Sequence, residues 1–229
     1  MRYRPLGDSG LMVSVTGLGC NNFGRRLDLD ATRAVVDAAL EAGITLLDTA
    51  DTYGNGGGSE ELLGEVLAGR RDEVVLATKF GHQEFDMGYG PTAGAKGGRA
   101  YIRRAVERSL RRLRTDYLDL YQIHTPDPVT PVAETLAALG ELVAEGKVRY
   151  LGDKFASWQI ADAAHVARAA FAVPFVSAQN HTAGRSTVSL SRGRRRPQHG
   201  TATGWRGRTG VSRTPTRGTR PARTRRSRR

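Results

Sequence analysis

Short apolar runs alternate with amphipathic stretches through the first 181 residues, and one run sets the pattern: Gly43 to Glu60, GITLLDTADTYGNGGGSE. Ile44 to Leu47 predicts a short strand that stops at Asp48. A polar loop then carries Tyr53, and four glycines lead to Ser59, which suits a helix N-cap with Glu60 and Glu61 in the first turn. Leu62, Leu63, Val66 and Leu67 form the inner face of that helix. Upstream, Arg2 to Ser14 reads as a hairpin around a Gly-Asp-Ser-Gly turn. Thr16 to Cys20 reads as a short strand that ends at Asn21 and Asn22. A helix follows from about Asp30, with Val35, Val36, Ala39 and Leu40 on one face and Gly43 just past its end.

Downstream the same alternation continues. Glu73 to Thr78 predicts a strand ending at Lys79. Gly81 to Arg99 is a glycine-rich loop without periodicity, long enough to suggest a functional role. Ile102, Ala105, Val106, Leu110 and Leu113 mark a helix, and Tyr117 to Ile123 a strand that ends at His124. Thr130 and Pro131 open a helix carrying Leu136, Leu139, Leu142 and Val143. Val148 to Leu151, Trp158 to Ala169 and Val173 to Ala178 then give strand, helix and strand, the last ending at Gln179 and Asn180. Six rounds of this kind predict an α/β fold with parallel strands joined by crossover helices. The strands are apolar throughout, as strands covered on both faces should be. An open doubly wound sheet and a closed (β/α)8 barrel both satisfy the pattern.

Charge divides the chain in two. The formal net charge is +12. Residues 182–229 hold 15 arginines and no lysine, aspartate or glutamate, which leaves residues 1–181 with 20 basic and 23 acidic side chains. The body is therefore mildly acidic, and the tail alone is basic. The tail's Arg, Gly, Thr, Ser and Pro composition predicts a disordered polycation. Such a segment binds phosphates without sequence preference, but Trp205 is its only aromatic, so no specific nucleic-acid partner is expected. The single cysteine, Cys20, excludes an intrachain disulfide and suits a reducing cytoplasm. No secretory h-region and no long apolar run is present, so a cytoplasmic protein without a membrane partner is expected.

The candidate chemistry lies at strand ends. In parallel α/β folds these ends share one face. Asp48, Lys79 and His124 end successive strands, and Tyr53 lies just past the first. An ammonium beside a phenol favours the phenolate and lowers a pKa that is ordinarily about 10. A carboxylate beside the lysine holds it charged, and a neutral imidazole can donate a hydrogen bond to a carbonyl oxygen. Taken singly, each residue has a plainer reading, as loop cap, solvated charge, satisfied polar group or rim packing. Their joint placement is what argues for a site. The rival motifs fit less well. The third glycine of a dinucleotide loop would fall on Ser59, and no Lys-Ser/Thr pair follows. Asp48, Asp51, His82 and His124 lack metal-ligand spacing, so no metal is expected. No nucleophile elbow occurs. Lys79 as a Schiff-base lysine is disfavoured by the neighbouring carboxylate.

GITLLDTADTYGNGGGSEELLG, VVLATKFG, YLDLYQIH and VSAQN, in this order, resemble the aldo-keto reductases. The resemblance covers residues 1 to about 181. It implies a (β/α)8 TIM-type barrel, here incomplete at about six β/α units and followed by the basic tail. It also implies NADPH-dependent reduction of an aldehyde or ketone, with a small carbonyl compound as substrate. By this resemblance Tyr53 is the proton donor, Asp48 and Lys79 tune it, and His124 positions the carbonyl. Gln179 meets the nicotinamide carboxamide, and Asn21 and Asn22 lie where cofactor and substrate meet, with Asp48 beside them.

Two departures stand out. The family's Ser-Asn pair is replaced by Asp153-Lys154, one residue short of the usual spacing to Trp158, and the pair's grip on the nicotinamide is not assigned to these two residues. Beyond His181 the pattern of a seventh and an eighth unit is missing, so weak NADPH binding and an impaired or inert barrel are expected of the chain as written. The abrupt change of composition leads us to expect a shifted reading frame beyond codon 181. Translation of the coding DNA beyond codon 181 in the other two frames should then reveal apolar strands and helical periodicity, and finding them in neither frame would refute this origin.

Overall fold

The computed structural model describes residues 1–182 and 185–189. The expected tail lies almost wholly outside the described residues. The chain begins with an antiparallel hairpin, β1 (Tyr3–Pro5) and β2 (Met12–Ser14), as its turn chemistry predicts. Strand β3 (Gly17–Gly19) then starts the main sheet. Helix α1 (Leu29–Glu41) is capped by Asp28, whose carboxylate accepts from Ala31 N at 3.0 Å, and ends where Gly43 takes φ +78°.

Units then repeat: β4 (Leu46–Asp48), α2 (Tyr53–Val66), β5 (Val75–Phe80), α3 (Arg99–Leu113), β6 (Leu118–Ile123), α4 (Val132–Ala144), β7 (Val148–Asp153), α5 (Ser157–Ala169) and β8 (Phe175–Thr182). Strands β3 to β8 pair in chain order and all parallel, forming a curled six-stranded half-barrel. This decides between the two architectures that the pattern allows, in favour of an incomplete (β/α) barrel. The sequence pattern stops at His181, but the backbone adds one more strand, β9 (Arg185–Ser189), antiparallel to β8. Edge pairing of this kind draws on backbone groups and needs no side-chain periodicity.

Strand alternation separates two cores. The outward cluster joins sheet to helices through Leu47, Leu63, Leu76, Ile102, Val106, Tyr121 and Leu139. The inward cluster is small: Leu46, Ala77 and Leu120 from β4 to β6 meet Leu6, Leu11 and Val13 of the hairpin. The hairpin thus plugs the end of the half-barrel opposite the strand C-termini. Ser14 links the two layers, since its hydroxyl accepts from Thr45 N and Leu46 N at 3.0 and 3.2 Å.

The start of α2 corrects one expectation. Gly54, Asn55, Gly56 and Gly57 hold φ of +68°, +62°, +96° and +122°, so the first turn is left-handed and kinked against the rest. A Cβ at Gly57 would sit 2.6 Å from Arg112 Cδ, so the glycine serves a close approach as well as a turn. Ser59 does not cap the helix. It is fully buried, donates to Cys20 O at 2.8 Å and contacts Thr49 Oγ1 at 2.8 Å, tying α2 to the ends of β3 and β4. Glu60 is not a solvated first-turn acid either. It has no exposed surface, accepts from Thr78 Oγ1 at 2.6 Å and pairs with Arg112 at 2.7 Å.

Asp51 lies buried near this pair with neither carboxylate oxygen hydrogen-bonded among the described residues. Burial, then the Glu60 carboxylate, raises its pKa to about 8. The native state therefore keeps a proton that the unfolded chain loses near its ordinary value of about 3.9. The associated stability is complete below that value and vanishes as pH rises through about 8. Urea unfolding at a series of pH values should show wild type losing ground to Asp51→Asn by roughly 1 kcal/mol per pH unit between about pH 5 and 8. A stability difference that does not vary with pH would show that Asp51 is ionised in the folded chain.

Candidate active site

Asp48 ends β4 and gathers three donor side chains at the open end of the half-barrel. Lys79 Nζ lies 2.8 Å from each carboxylate oxygen, Gln122 Nε2 donates to Oδ1 at 3.2 Å, and Gln179 Nε2 donates to Oδ2 at 3.0 Å. The backbone dictates this convergence. Asp48 pairs with Ala77 in register, and Lys79 pairs with Gln122, so all three side chains point inward at neighbouring levels. Lys79 also donates to Thr49 O at 2.9 Å, and its side chain is only 1% exposed. Burial alone would push the Lys79 ammonium down. Asp48 and then Tyr53 outweigh it, and the group is held above its ordinary range.

Tyr53 stands on the far side of that ammonium, with Lys79 Nζ 5.1 Å from its ring centroid. His124 meets the Tyr53 ring edge-on at 5.8 Å between centroids. Its backbone N–H continues the sheet by donating to Phe80 O at 2.8 Å. Burial, Lys79, His82 and Lys154 push its imidazole down to about 2, so it is neutral throughout the physiological range. The four residues proposed from strand ends therefore converge on one spot. Asn21 and Gln179 line the same cavity of about 570 Å³ together with Asp48 and Tyr53, which is within the size range of small-molecule sites.

Two participants escape a reading of strand ends. Gln122 precedes His124 by two residues on the inward face of β6, so period-two alternation from His124 would have found it. His82 packs its ring perpendicular to that of His124, at 4.7 Å. No local signal marks it, because its place depends on contacts distant in sequence. Lys96 donates to the carbonyls of His82, Gln83 and Phe85 at 2.6, 3.0 and 2.8 Å. Thr125 Oγ1 accepts from Gln83 N and donates to Gly81 O, each at 2.9 Å. The glycine-rich loop is thus clamped at its root.

Among the described residues no group of three or more His, Cys, Asp or Glu side chains could hold a metal ion, and no helix is long and apolar enough to cross a membrane. Cys20 is buried behind the site, and burial pushes its thiol well above the ordinary range.

Comparison with known proteins agrees with this geometry. The profile of the Aldo/keto reductase family matches residues 16–191. The chain is 41% identical over 157 residues to the uncharacterized oxidoreductase YqkF of Bacillus subtilis, covering 66% of this chain and 48% of that protein. It is 39% identical over 158 residues to the L-glyceraldehyde 3-phosphate reductase of Escherichia coli, covering 66% and 44%. It is 42% identical over 171 residues to the uncharacterized oxidoreductase YrpG of Bacillus subtilis, covering 71% and 52%. The chain spans about half the length of the curated relatives it matches. With a half-barrel of parallel strands, the Asp48–Lys79 pair at its open end and this match over most of its length, the chain belongs to the Aldo/keto reductase family.

Proposed function

We propose that this site serves the NADPH-dependent reduction of an aldehyde or ketone to an alcohol. The observation that carries the reading is that Tyr53, on the cavity wall, has both the Asp48-bound Lys79 ammonium and a neutral His124 against its ring. NADPH, when bound, supplies the hydride. Tyr53 gives its proton to the carbonyl oxygen as the carbon is reduced. The Lys79 ammonium, fixed by two carboxylate oxygens, stabilises the phenolate that remains. Neutral His124 donates a hydrogen bond to the same carbonyl oxygen without placing a second cation beside Lys79.

The residues present fit the nicotinamide end of the cofactor. Gln179 spends its amide N–H on Asp48, which leaves its Oε1 free to accept from a carboxamide. Asn21 offers a second amide on the cavity wall. Both suit a neutral ring carrying one carboxamide. The preference for NADPH over NADH and the small-molecule carbonyl substrate rest on family membership.

Two measurements test the reading. In a full-length version, loss of dihydronicotinamide absorbance with a small aldehyde should fall about 10²–10⁴-fold in Tyr53→Phe, the usual contribution of a positioned general acid, while nicotinamide fluorescence shows unaltered cofactor binding. Retained turnover would remove Tyr53 from its role. The same titration on the wild-type chain should give a dissociation constant above about 1 µM, because the cofactor site is expected to lack part of its wall. Tighter binding would show that these residues hold the cofactor unaided.

A further inference from the structure

Lys154 lines the same cavity but takes no part in the network around Asp48. It follows β7 directly, at the mouth of the half-barrel. Among the described residues it has neither an ion pair nor a hydrogen bond. Its sequence neighbour Asp153 offers no partner, for that carboxylate is buried and accepts from Phe155 N at 2.9 Å. The charges around the cavity then do not balance. The Asp48 carboxylate is matched by Lys79 at 2.8 Å, and His124 is neutral, so the Lys154 ammonium is left in excess. Arg4, on the wall near the hairpin, is also without an ion pair among the described residues and adds to the imbalance. Burial and the nearby Lys79 push Lys154 below its ordinary range, and Asp48 offsets only part of this. An anion arriving beside it would relieve both effects.

We propose that Lys154 anchors an anionic group on the substrate, so that this site selects carbonyl compounds carrying their own carboxylate or phosphate. The inference rests on carbonyl reduction as the reaction of the site. The position of Lys154 favours the substrate over the cofactor as the source of the anion. Lys154 shares the cavity wall with Tyr53 and Asp48, which places it on the side of the proposed proton donor. A dinucleotide keeps its phosphates a ribose away from the nicotinamide ring. A 2-oxo acid or a short phosphorylated aldehyde carries its charge within a few bonds of the carbonyl.

The test compares pyruvate with pyruvamide, which match in size and differ in charge. Binding to the whole chain is followed by NMR on the side-chain amide signals of Gln122 and Gln179. Pyruvate should bind at least tenfold more tightly than pyruvamide to wild type. The ratio should collapse to within about threefold in Lys154→Met and return in Lys154→Arg, since Coulombic attraction needs the cation and not the lysine. Equal affinities in wild type, or a preference that survives Lys154→Met, would overturn the proposal. So would a Lys154→Met chain that keeps the preference but loses tenfold in NADPH affinity, since the cation would then serve a cofactor phosphate. Pyruvate preference in a full-length version that shows no NADPH-dependent turnover would uphold the anion site and sink the reductase reading. Turnover without charge preference would do the reverse.

Discussion

The Asp48–Lys79 pair is the contact on which the rest of the site depends. A lysine with 1% of its side chain exposed has given up nearly all its hydration, and a lone ammonium there would be strongly destabilising. It is tolerated because both carboxylate oxygens and Thr49 O surround it at 2.8 to 2.9 Å. The carboxylate is in turn satisfied by amides from β6 and β8. Four strands thereby converge on one charge pair. Removing either partner leaves the other buried and unmatched, so position and electrostatics cannot be separated here. That rigidity suits the proton donor proposed at Tyr53. The ammonium beside Tyr53 is fixed before any substrate arrives, and its orientation costs no reorganisation at the moment of reaction.

A second buried pair supports the first from outside the barrel. Glu60 and Arg112 join α2 to α3, and Thr78 ties Glu60 to the strand that carries Lys79. The two helices approach closely at Gly64, where an added Cβ would fall 2.9 Å from Leu113 C and collide with Arg112 O. The left-handed run from Gly54 to Gly57 is needed at the same contact. It lets the chain leave Tyr53 at the cavity and still bring Glu60 under Arg112 within seven residues. The strand-end tyrosine and the helix pairing thus constrain one turn from opposite ends.

What could be read from the sequence follows from the range of each interaction. Asp48, Lys79 and His124 were legible because apolar strands end abruptly at polar residues, and parallel sheets place such ends together. The six units were legible from periodicity, and the curl of the sheet from the family resemblance. Ser59 and Glu60 were misread because N-cap chemistry is a local rule. Tertiary contacts with Cys20, Thr49, Thr78 and Arg112 overrode it. Gln122 was hidden inside a strand, and His82 in a loop whose shape depends on Lys96, fourteen residues away. Strand β9 was not foreseen because edge pairing needs backbone groups more than side-chain pattern.

The inner face of the half-barrel has a gradient that explains where chemistry can occur. At the hairpin end Leu6, Leu11, Val13, Leu46, Ala77 and Leu120 exclude water. One level up, Asp48, Lys79 and Gln122 form a polar layer that rests on this apolar one. In that setting His124 is neutral, because an imidazolium would be buried and would face the Lys79 ammonium. The imidazole is kept uncharged by its own burial and by the cations gathered around it, Lys79 first.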